Sequence, residues 1–341
     1  MEAQVPRMII IDETQCRKVA ERLKIVKVHE LFPEHPTREE KRRRADFWFY
    51  VVVICHQTGS LQGEIEGKRL RGWDYLSLAA ERAYRMDPNL FTAERIWKLH
   101  PEELKQLFSD RLDPKTSTLD RIGERLHLLR EAALSLLQWY KGDVWELYER
   151  CDGSLSGGTG LLNLLSQFEA YRDPLRKKTS LLLMILWASK IWMLKDLEAL
   201  RFPVDNHLMR VALRTGMVRV EDEGLQGRLK KSGEIRREEE QSIREAVQQA
   251  GDLLLATSGR TVFELDTILW QIGRSCCFSE HPPICGPRAT VHPCFKRETC
   301  SLIRDTDYPC PDACPLDGTC FGSLDETYAL LNEPKVETHY Y

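Results

Sequence analysis

A lysine and an aspartate are the residues best suited to covalent chemistry, because each is expected near the start of an apolar helix. Lys178 follows Arg176 and Lys177, and neighbouring positive charges lower the pKa of an amine, which makes it a better nucleophile. Asp205 directly precedes a second helix, where an aspartate caps free N–H groups and keeps its charge. If both side chains face one cleft, a nucleophilic amine and a charged carboxylate can act on the same substrate.

The cysteines give a second chemical signal. Eight of the eleven cysteines lie within residues 276–320. The amino terminus has no basic-then-apolar secretory signal, so cysteines this concentrated predict a metal centre rather than disulfides. Cys16, Cys55 and Cys151 are isolated in the sequence and are expected to be small buried side chains.

The sequence around the lysine and the aspartate resembles the helix-hairpin-helix DNA glycosylases of the endonuclease III superfamily. The matching motifs are Lys178-Thr179-Ser180 before an apolar helix, and Val204-Asp205-x-His207-x-x-Arg210-Val211-Ala212-x-Arg214-x-Gly216. The resemblance implies that Lys178 attacks the sugar to form a Schiff base and that Asp205 assists it. The hairpin of that family is usually rich in glycine, whereas residues 171–177 contain none.

The cysteine segment is similar to the iron–sulfur loop of endonuclease III and the adenine glycosylases. Gly273-x-x-x-Cys277 corresponds to the helix end that supplies the first ligand, and Cys314-Pro315 begins the motif that ends the loop. The resemblance implies a [4Fe–4S] cluster. Its implied ligands are Cys277, Cys310, Cys314 and Cys320.

The interval after the first of these ligands is longer than in that family and contains further cysteines, so two other arrangements stay open. In one, the cluster is bound by Cys277, Cys285, Cys294 and Cys300. In the other, a second metal, zinc, is held by Cys276, Cys285, Cys294 and Cys300, with His281 or His292.

Further binding residues follow from the same resemblance. His56 and Gln57 end an early apolar helix whose counterpart faces the extruded base, and Trp73 offers an aromatic ring for stacking on that base. Arg176, Lys177 and His207 flank the two catalytic candidates and are expected to contact the substrate or the DNA.

The implied fold is all-α, with two domains and a carboxy-terminal cysteine-rich loop. Helical spacing of apolar residues from Tyr75 to Cys151 agrees with such a fold. The expected domains are a helical domain of residues 1–60 and 206–325 that carries the cluster loop at 276–320, a central helical domain at 61–205 with the hairpin at 161–190, and a tail at 326–341.

Composition limits the partners. The net charge of −3 and the pI near 6.3 do not indicate a broad nucleic-acid-binding surface, so any basic contact must be local. Apolar runs such as Phe47–Cys55 are about half of the roughly 20 residues that a membrane span requires. A cytoplasmic protein with no membrane association is therefore expected.

Together these features predict a base-excision DNA repair glycosylase, with AP lyase activity, that acts as a monomer on damaged duplex DNA. Two alternatives stay open. One is an N-glycosidase that acts on a modified nucleoside or RNA base, and the other is a nucleic-acid-binding iron–sulfur protein without catalysis.

Overall fold

The computed structural model describes residues 9–30, 37–279, 283, 285, 294 and 300–341. Within them the chain is largely helical, and the only strands form two small two-stranded sheets, so the all-α expectation is confirmed in its coarse form. The helices are α1 Glu13–Leu23, α2 Arg38–Val53, α3 Gly72–Met86, α4 Ala93–Trp97, α5 Pro101–Leu107, α6 Ile122–Trp139, α7 Trp145–Cys151, α8 Leu161–Leu165, α9 Lys177–Ala188, α10 Asn206–Thr215, α11 Glu223–Lys230, α12 Arg237–Ser258, α13 Val262–Ser275, α14 Ser301–Asp305, α15 Phe321–Leu324 and α16 Glu326–Ala329.

The chain divides into two compact units. The first unit combines the amino-terminal segment up to residue 31 with Arg201–Val336, and the second runs from residue 32 to Leu200 and takes in Glu337–Tyr341. In the first unit α1 and α10 pack on α12, and α13 packs on α10. Its sheet pairs β1 (Ile9–Ile11) antiparallel with a later strand, Val218–Val220.

The second unit is built around α2, which packs against α6 and α9. The buried face of α2 carries a run of aromatic and β-branched residues, and Phe49 stacks on Tyr171 with ring centroids 5.2 Å apart. The hydroxyl of Tyr171 donates a hydrogen bond to Phe49 O at 2.7 Å. Burial of this much apolar surface is what holds the helices of the unit together.

Residues 62–71 form a β-hairpin that leads directly into α3. Strand β2 (Gln62–Ile65) pairs with β3 (Lys68–Arg71), in the register Ile65↔Lys68. Glu66 and Gly67, the two turn residues, have φ of 52° and 76°. Positive φ at both positions matches the right-handed twist of a two-residue hairpin, and the strand signal was missed because the segment is short and polar.

The helix-hairpin-helix architecture expected at 161–190 is not supported. Helix α8 has only five residues, and the turn before α9 is led by Arg176, whose φ is 58°. The buried carboxylate of Asp173 accepts a hydrogen bond from Lys177 N at 2.9 Å. The backbone amide that a DNA phosphate would contact at this helix start is therefore already hydrogen-bonded to a protein carboxylate.

Within the described ranges, no helix is long and apolar enough to cross a membrane.

Candidate functional site

Lys178 lies in the interior of the second unit, near the start of α9. Its side chain is 0% exposed, and its Nζ donates to Val53 O at 2.5 Å and lies 3.3 Å from His56 Nδ1. Burial, with smaller contributions from Lys177 and Arg125, lowers the pKa of Lys178 to about 7. The amine is thus tuned as expected for a nucleophile, but it is enclosed by the protein rather than open to a cleft.

His56 is also fully buried, between Lys178 and Glu124. Burial, together with the charges of Lys178 and Arg125, lowers the pKa of His56 far below its ordinary value, so the ring is neutral. Its Nε2 lies 3.0 Å from Glu124 Oε1, although these two atoms do not form a hydrogen bond. Because Nδ1 faces the lysine ammonium, the contacts assign the ring proton to Nε2.

The last residues of the chain cover this position. Gln57 has a left-handed φ of 46°, and both its backbone N and its Nε2 donate to Tyr341 O, at 3.2 and 3.3 Å. The His339 ring lies 6.5 Å from that of His56. Gln57, expected to contact a substrate, instead anchors the carboxy-terminal segment.

The other binding residues predicted in the second unit have structural contacts. Trp73 stacks on Trp48, with ring centroids 6.3 Å apart. Arg176 is half-buried, and its backbone N donates to Asp173 O at 2.9 Å. Lys177 is 8% exposed, and its Nζ lies 3.9 Å from the sulfur of Cys55.

Asp205 occupies a different setting, at the start of α10 in the first unit. Its Oδ1 accepts a hydrogen bond from Leu208 N at 3.0 Å, which caps the helix as predicted. Within the described residues Oδ2 has no hydrogen-bond partner, and the side chain is half-buried. The next residue, Asn206, has a buried Oδ1 that also lacks a partner there. The second oxygen of Asp205 is therefore available to a ligand, and the buried Asn206 Oδ1 beside it is unsatisfied by the described residues.

An aromatic and a cationic side chain from α13 lie beside His207, the third residue of this segment. The ring of Trp270 meets the His207 ring edge to face at 5.9 Å, and the Arg274 guanidinium lies 4.4 Å from the centre of the Trp270 ring. The helices approach closely at Gly273, where a Cβ would lie 2.8 Å from His207 Cβ. Glycine is what permits this contact.

His207 is held neutral. Burial, with the positive charges of Arg210 and Arg274, lowers the pKa of His207 to about 4, although Asp205 acts in the opposite direction. Nδ1 accepts a hydrogen bond from Arg210 Nη2 at 2.9 Å, and Arg210 forms an ion pair with Glu333 at 2.6 Å. With Nδ1 as acceptor, Nε2 carries the proton and can act as a donor.

The predicted cluster ligands lie in the first unit. One cavity is lined by five buried cysteines, Cys276, Cys277, Cys285, Cys314 and Cys320. Cys310, the fourth predicted ligand, is not part of the described lining; its sulfur lies 3.8 Å from Ala313 O, and it interacts electrostatically with Cys294 and Cys300. The alternative ligands His281 and His292 lie outside the described residues.

The structure thus distributes the predicted residues over two units. Lys178, His56, Gln57, Trp73, Arg176 and Lys177 belong to the second unit, and Asp205, His207 and the cysteines belong to the first. Sequence reasoning missed Trp270 and Arg274, two half-buried residues of α13. Their one signal was an aromatic and a cation four residues apart on one helix face.

Comparison with known proteins gives one family. The model of the family described as "Queuosine salvage protein" matches residues 37–276, more than two thirds of the chain. No curated protein gives a significant match. The match includes Lys178, Asp205, Trp270 and Arg274, and it ends where the cysteine-rich segment begins.

This family match corrects the assignment to the DNA glycosylases that the sequence motifs suggested. The helix-hairpin-helix glycosylase resemblance is wrong as a family assignment, and so are the base-excision repair function and the DNA glycosylase/AP lyase activity drawn from it. Short motifs such as Lys-Thr before a helix and Val-Asp-x-His are satisfied here by a buried lysine and a helix cap, which many helical proteins need. The duplex DNA partner and the monomeric state remain predictions. On a match of this extent, the chain belongs to the queuosine salvage protein family.

Proposed function

We propose that this protein releases the base of a queuosine nucleoside by hydrolysing its N-glycosidic bond, with Asp205 as the residue that stabilises the reacting sugar. Salvage of a modified base from its nucleoside requires that the bond between base and ribose be broken. The family match supplies the substrate class, and it agrees with the alternative of an N-glycosidase that acts on a modified nucleoside.

The free oxygen of Asp205 is the observation that carries this proposal. Breaking an N-glycosidic bond builds positive charge on the ribose, and a fixed carboxylate lowers the energy of that charge. Asp205 is fixed by the bond from Leu208 N to Oδ1, while Oδ2 has no hydrogen-bond partner among the described residues. The helix cap therefore orients the carboxylate without using both of its oxygens.

The neighbouring groups suit the rest of a nucleoside. Trp270 is half-buried and offers an aromatic surface for a flat base. Neutral His207 carries its proton on Nε2 and can donate it in a hydrogen bond to a ribose hydroxyl. Water is the nucleophile in this scheme, and Lys178 has no assigned part, because its amine is enclosed against Val53 and His56.

The test is base release by the purified protein. Queuosine, queuosine 5′-phosphate and guanosine are incubated separately, and free base is measured by chromatography. We expect release of queuine from one or both queuosine substrates and none from guanosine. Asp205→Asn should keep the helix cap but lower kcat by about 100-fold or more, since the charge facing the sugar is lost.

Asp222→Asn is the matched control. Asp222 caps α11 in the same unit through the same contact, to Leu225 N at 2.5 Å. Its change to asparagine should leave the rate within about twofold, because asparagine is an equally good cap. Absence of base release from both queuosine substrates, or equal losses in the two variants, would overturn the proposal.

A further inference from the structure

The cysteine-lined cavity of the first unit brings together segments that are far apart in sequence. Its walls come from α10, from the end of α13, from residues 283 and 285, and from the segment between 314 and 322. All five cysteines that line it are free thiols and are at most 8% exposed.

Four of these thiols form a mutually close set. Cys285 interacts electrostatically with Cys277, Cys314 and Cys320. Cys320 interacts with Cys277 and Cys314, and Cys314 with Cys277, so every pair within the four is in range. The fifth thiol, Cys276, hydrogen-bonds with Cys314 and also interacts with Cys277, Cys300 and Cys310, so it lies between this set and the thiols outside it.

Arg214 supplies an independent observation. It lines the same cavity, is 2% exposed, and its Nη1 lies 3.5 Å from the sulfur of Cys277. Its other acceptors are neutral: Leu331 O at 2.6 Å, Phe278 O at 2.7 Å and Asn332 Oδ1 at 2.7 Å. No carboxylate of the described residues pairs with it. A buried guanidinium is stabilised by a negative charge nearby, and among its described contacts the sulfur of Cys277 is the group that can carry one.

The arrangement does not suit a single ion. A zinc ion holds four ligands at about 2.0–2.3 Å, which requires the donor atoms to converge on one point. Across the described ranges, no three His, Cys, Asp or Glu side chains are arranged to hold one metal ion. A cluster with several iron atoms does not require such convergence, because each thiolate binds a different iron atom.

We infer that Cys277, Cys285, Cys314 and Cys320 bind a [4Fe–4S] cluster in this cavity, with Arg214 as its buried counter-ion. The four thiols lose their protons to solvent, and each thiolate forms one bond to iron. A cluster with thiolate ligands is negatively charged and so balances the guanidinium. The four cysteines lie beyond the family match, whereas Arg214 lies within it, and the site does not depend on the proposed hydrolase activity.

This set of ligands differs from the one that the resemblance implied. Cys285 replaces Cys310, because Cys285 lines the cavity whereas Cys310 interacts with Cys294 and Cys300. The long interval after Cys277 therefore contributes a ligand rather than being a passive insertion.

The first experiment uses the full-length wild-type chain. With its thiols reduced and under anaerobic conditions it is incubated with equal amounts of ferrous and ferric iron and with inorganic sulfide, desalted, and analysed for iron, sulfide and zinc, with visible and Mössbauer spectra. We expect about four iron and four sulfide per chain and a broad absorption band in the visible range. Failure to retain iron and sulfide, or retention of zinc alone, would overturn the proposal. Base release from queuosine is measured separately, so either result can fail alone.

The second experiment separates the two ligand sets. Cys285→Ser should lower the retained iron by at least half, whereas Cys310→Ser should retain it within about 20% of the wild type. Cys151→Ser, a buried cysteine of the second unit, is the matched control for thiol loss. Loss of the cluster in Cys310→Ser with retention in Cys285→Ser would overturn the assignment.

The role of Arg214 has its own readout. In Arg214→Gln the reduction potential of the loaded cluster should become more negative, because a cation next to the cluster favours the form with one more electron. Arg214→Lys, which keeps the charge, should restore most of the potential. A potential unchanged in both variants would overturn the counter-ion role, since a purely structural arginine would not change the potential.

Discussion

The two units each bury a cation, and they accommodate it in different ways. Lys178 is 0% exposed and Arg214 is 2% exposed, and both donate to backbone carbonyls. The lysine can lose its proton, and burial lowers its pKa to about 7. A guanidinium keeps its proton in proteins, so Arg214 must instead be matched by negative charge. The same degree of burial therefore signals a tuned amine in one unit and an anion-binding cavity in the other.

Arg210 makes this distinction clearer. It lies one helical turn before Arg214 on α10, is also 2% exposed, and pairs with Glu333 at 2.6 Å. One buried arginine of the helix thus has a carboxylate, and the next has the sulfur of Cys277. A helix with two buried guanidinium groups and one carboxylate is incomplete without a further anion.

The largest effect is expected for Arg214→Met. The change leaves Leu331 O, Phe278 O and Asn332 Oδ1 without their donor, and it removes the charge that balances the sulfurs. We expect a loss of about 3 kcal/mol or more in the free energy of unfolding, measured with urea. Arg17→Met, on the exposed face of α1, should change it by about 0.5 kcal/mol or less. Equal losses of unfolding free energy in Arg214→Met and Arg17→Met would contradict the conclusion that Arg214 balances a buried negative charge.

A smaller effect is expected for Glu333→Gln. Arg210 then loses its carboxylate but keeps Gly273 O at 2.9 Å and Cys277 O at 2.7 Å as acceptors. We expect a loss of about 2 to 3 kcal/mol at pH 7, by the same measurement. Glu13→Gln, an exposed carboxylate of α1, is the control and should be nearly neutral. A loss greater than that of Arg214→Met would reverse the order proposed for the two arginines.

Lys178→Met should show the smallest effect, and one that depends on pH. The pKa of Lys178 is about 7 in the folded chain and about 10.4 when unfolded, so between these values the unfolded chain binds more protons and the wild type gains stability as pH rises. From pH 7 to 9 the wild type should gain roughly 2 kcal/mol relative to the variant. The difference is measured by urea unfolding at each pH.

Lys18→Met is the control for this pH series, because Lys18 is exposed on α1. Its difference from the wild type should stay constant over the same range. A constant difference for Lys178→Met as well would mean that the lysine is charged in the folded protein, and the contrast with Arg214 would then be lost.

Much of the helical architecture could be predicted from the sequence, because apolar spacing determines which faces are buried. Helical spacing predicted helices from Tyr75 to Cys151, and α4, α5, α6 and α7 lie within that range. The hairpin at residues 62–71 was missed because its strands are four residues long and polar. Short strands depend on pairing with a partner, and pairing is not visible in local periodicity.

The site was predictable residue by residue but not as an arrangement. Asp205 was expected at a helix start and caps α10 as predicted. The chemistry assigned to Lys178 followed from its charged neighbours in sequence, whereas burial is the largest cause of its lowered pKa. Cys285 interacts with Cys314 and Cys320, residues far from it in sequence, and spacing cannot predict such a tertiary contact.

The bonds from Gln57 to Tyr341 O have a consequence for how the chain is made. Residues 32–200 leave the ribosome before Arg201–Val336, yet the five residues that complete the second unit follow both. The second unit can therefore reach its final packing only after the entire first unit has been translated. Maturation of the two units is interleaved in time, and the cover over His56 is the last part of the second unit to be put in place.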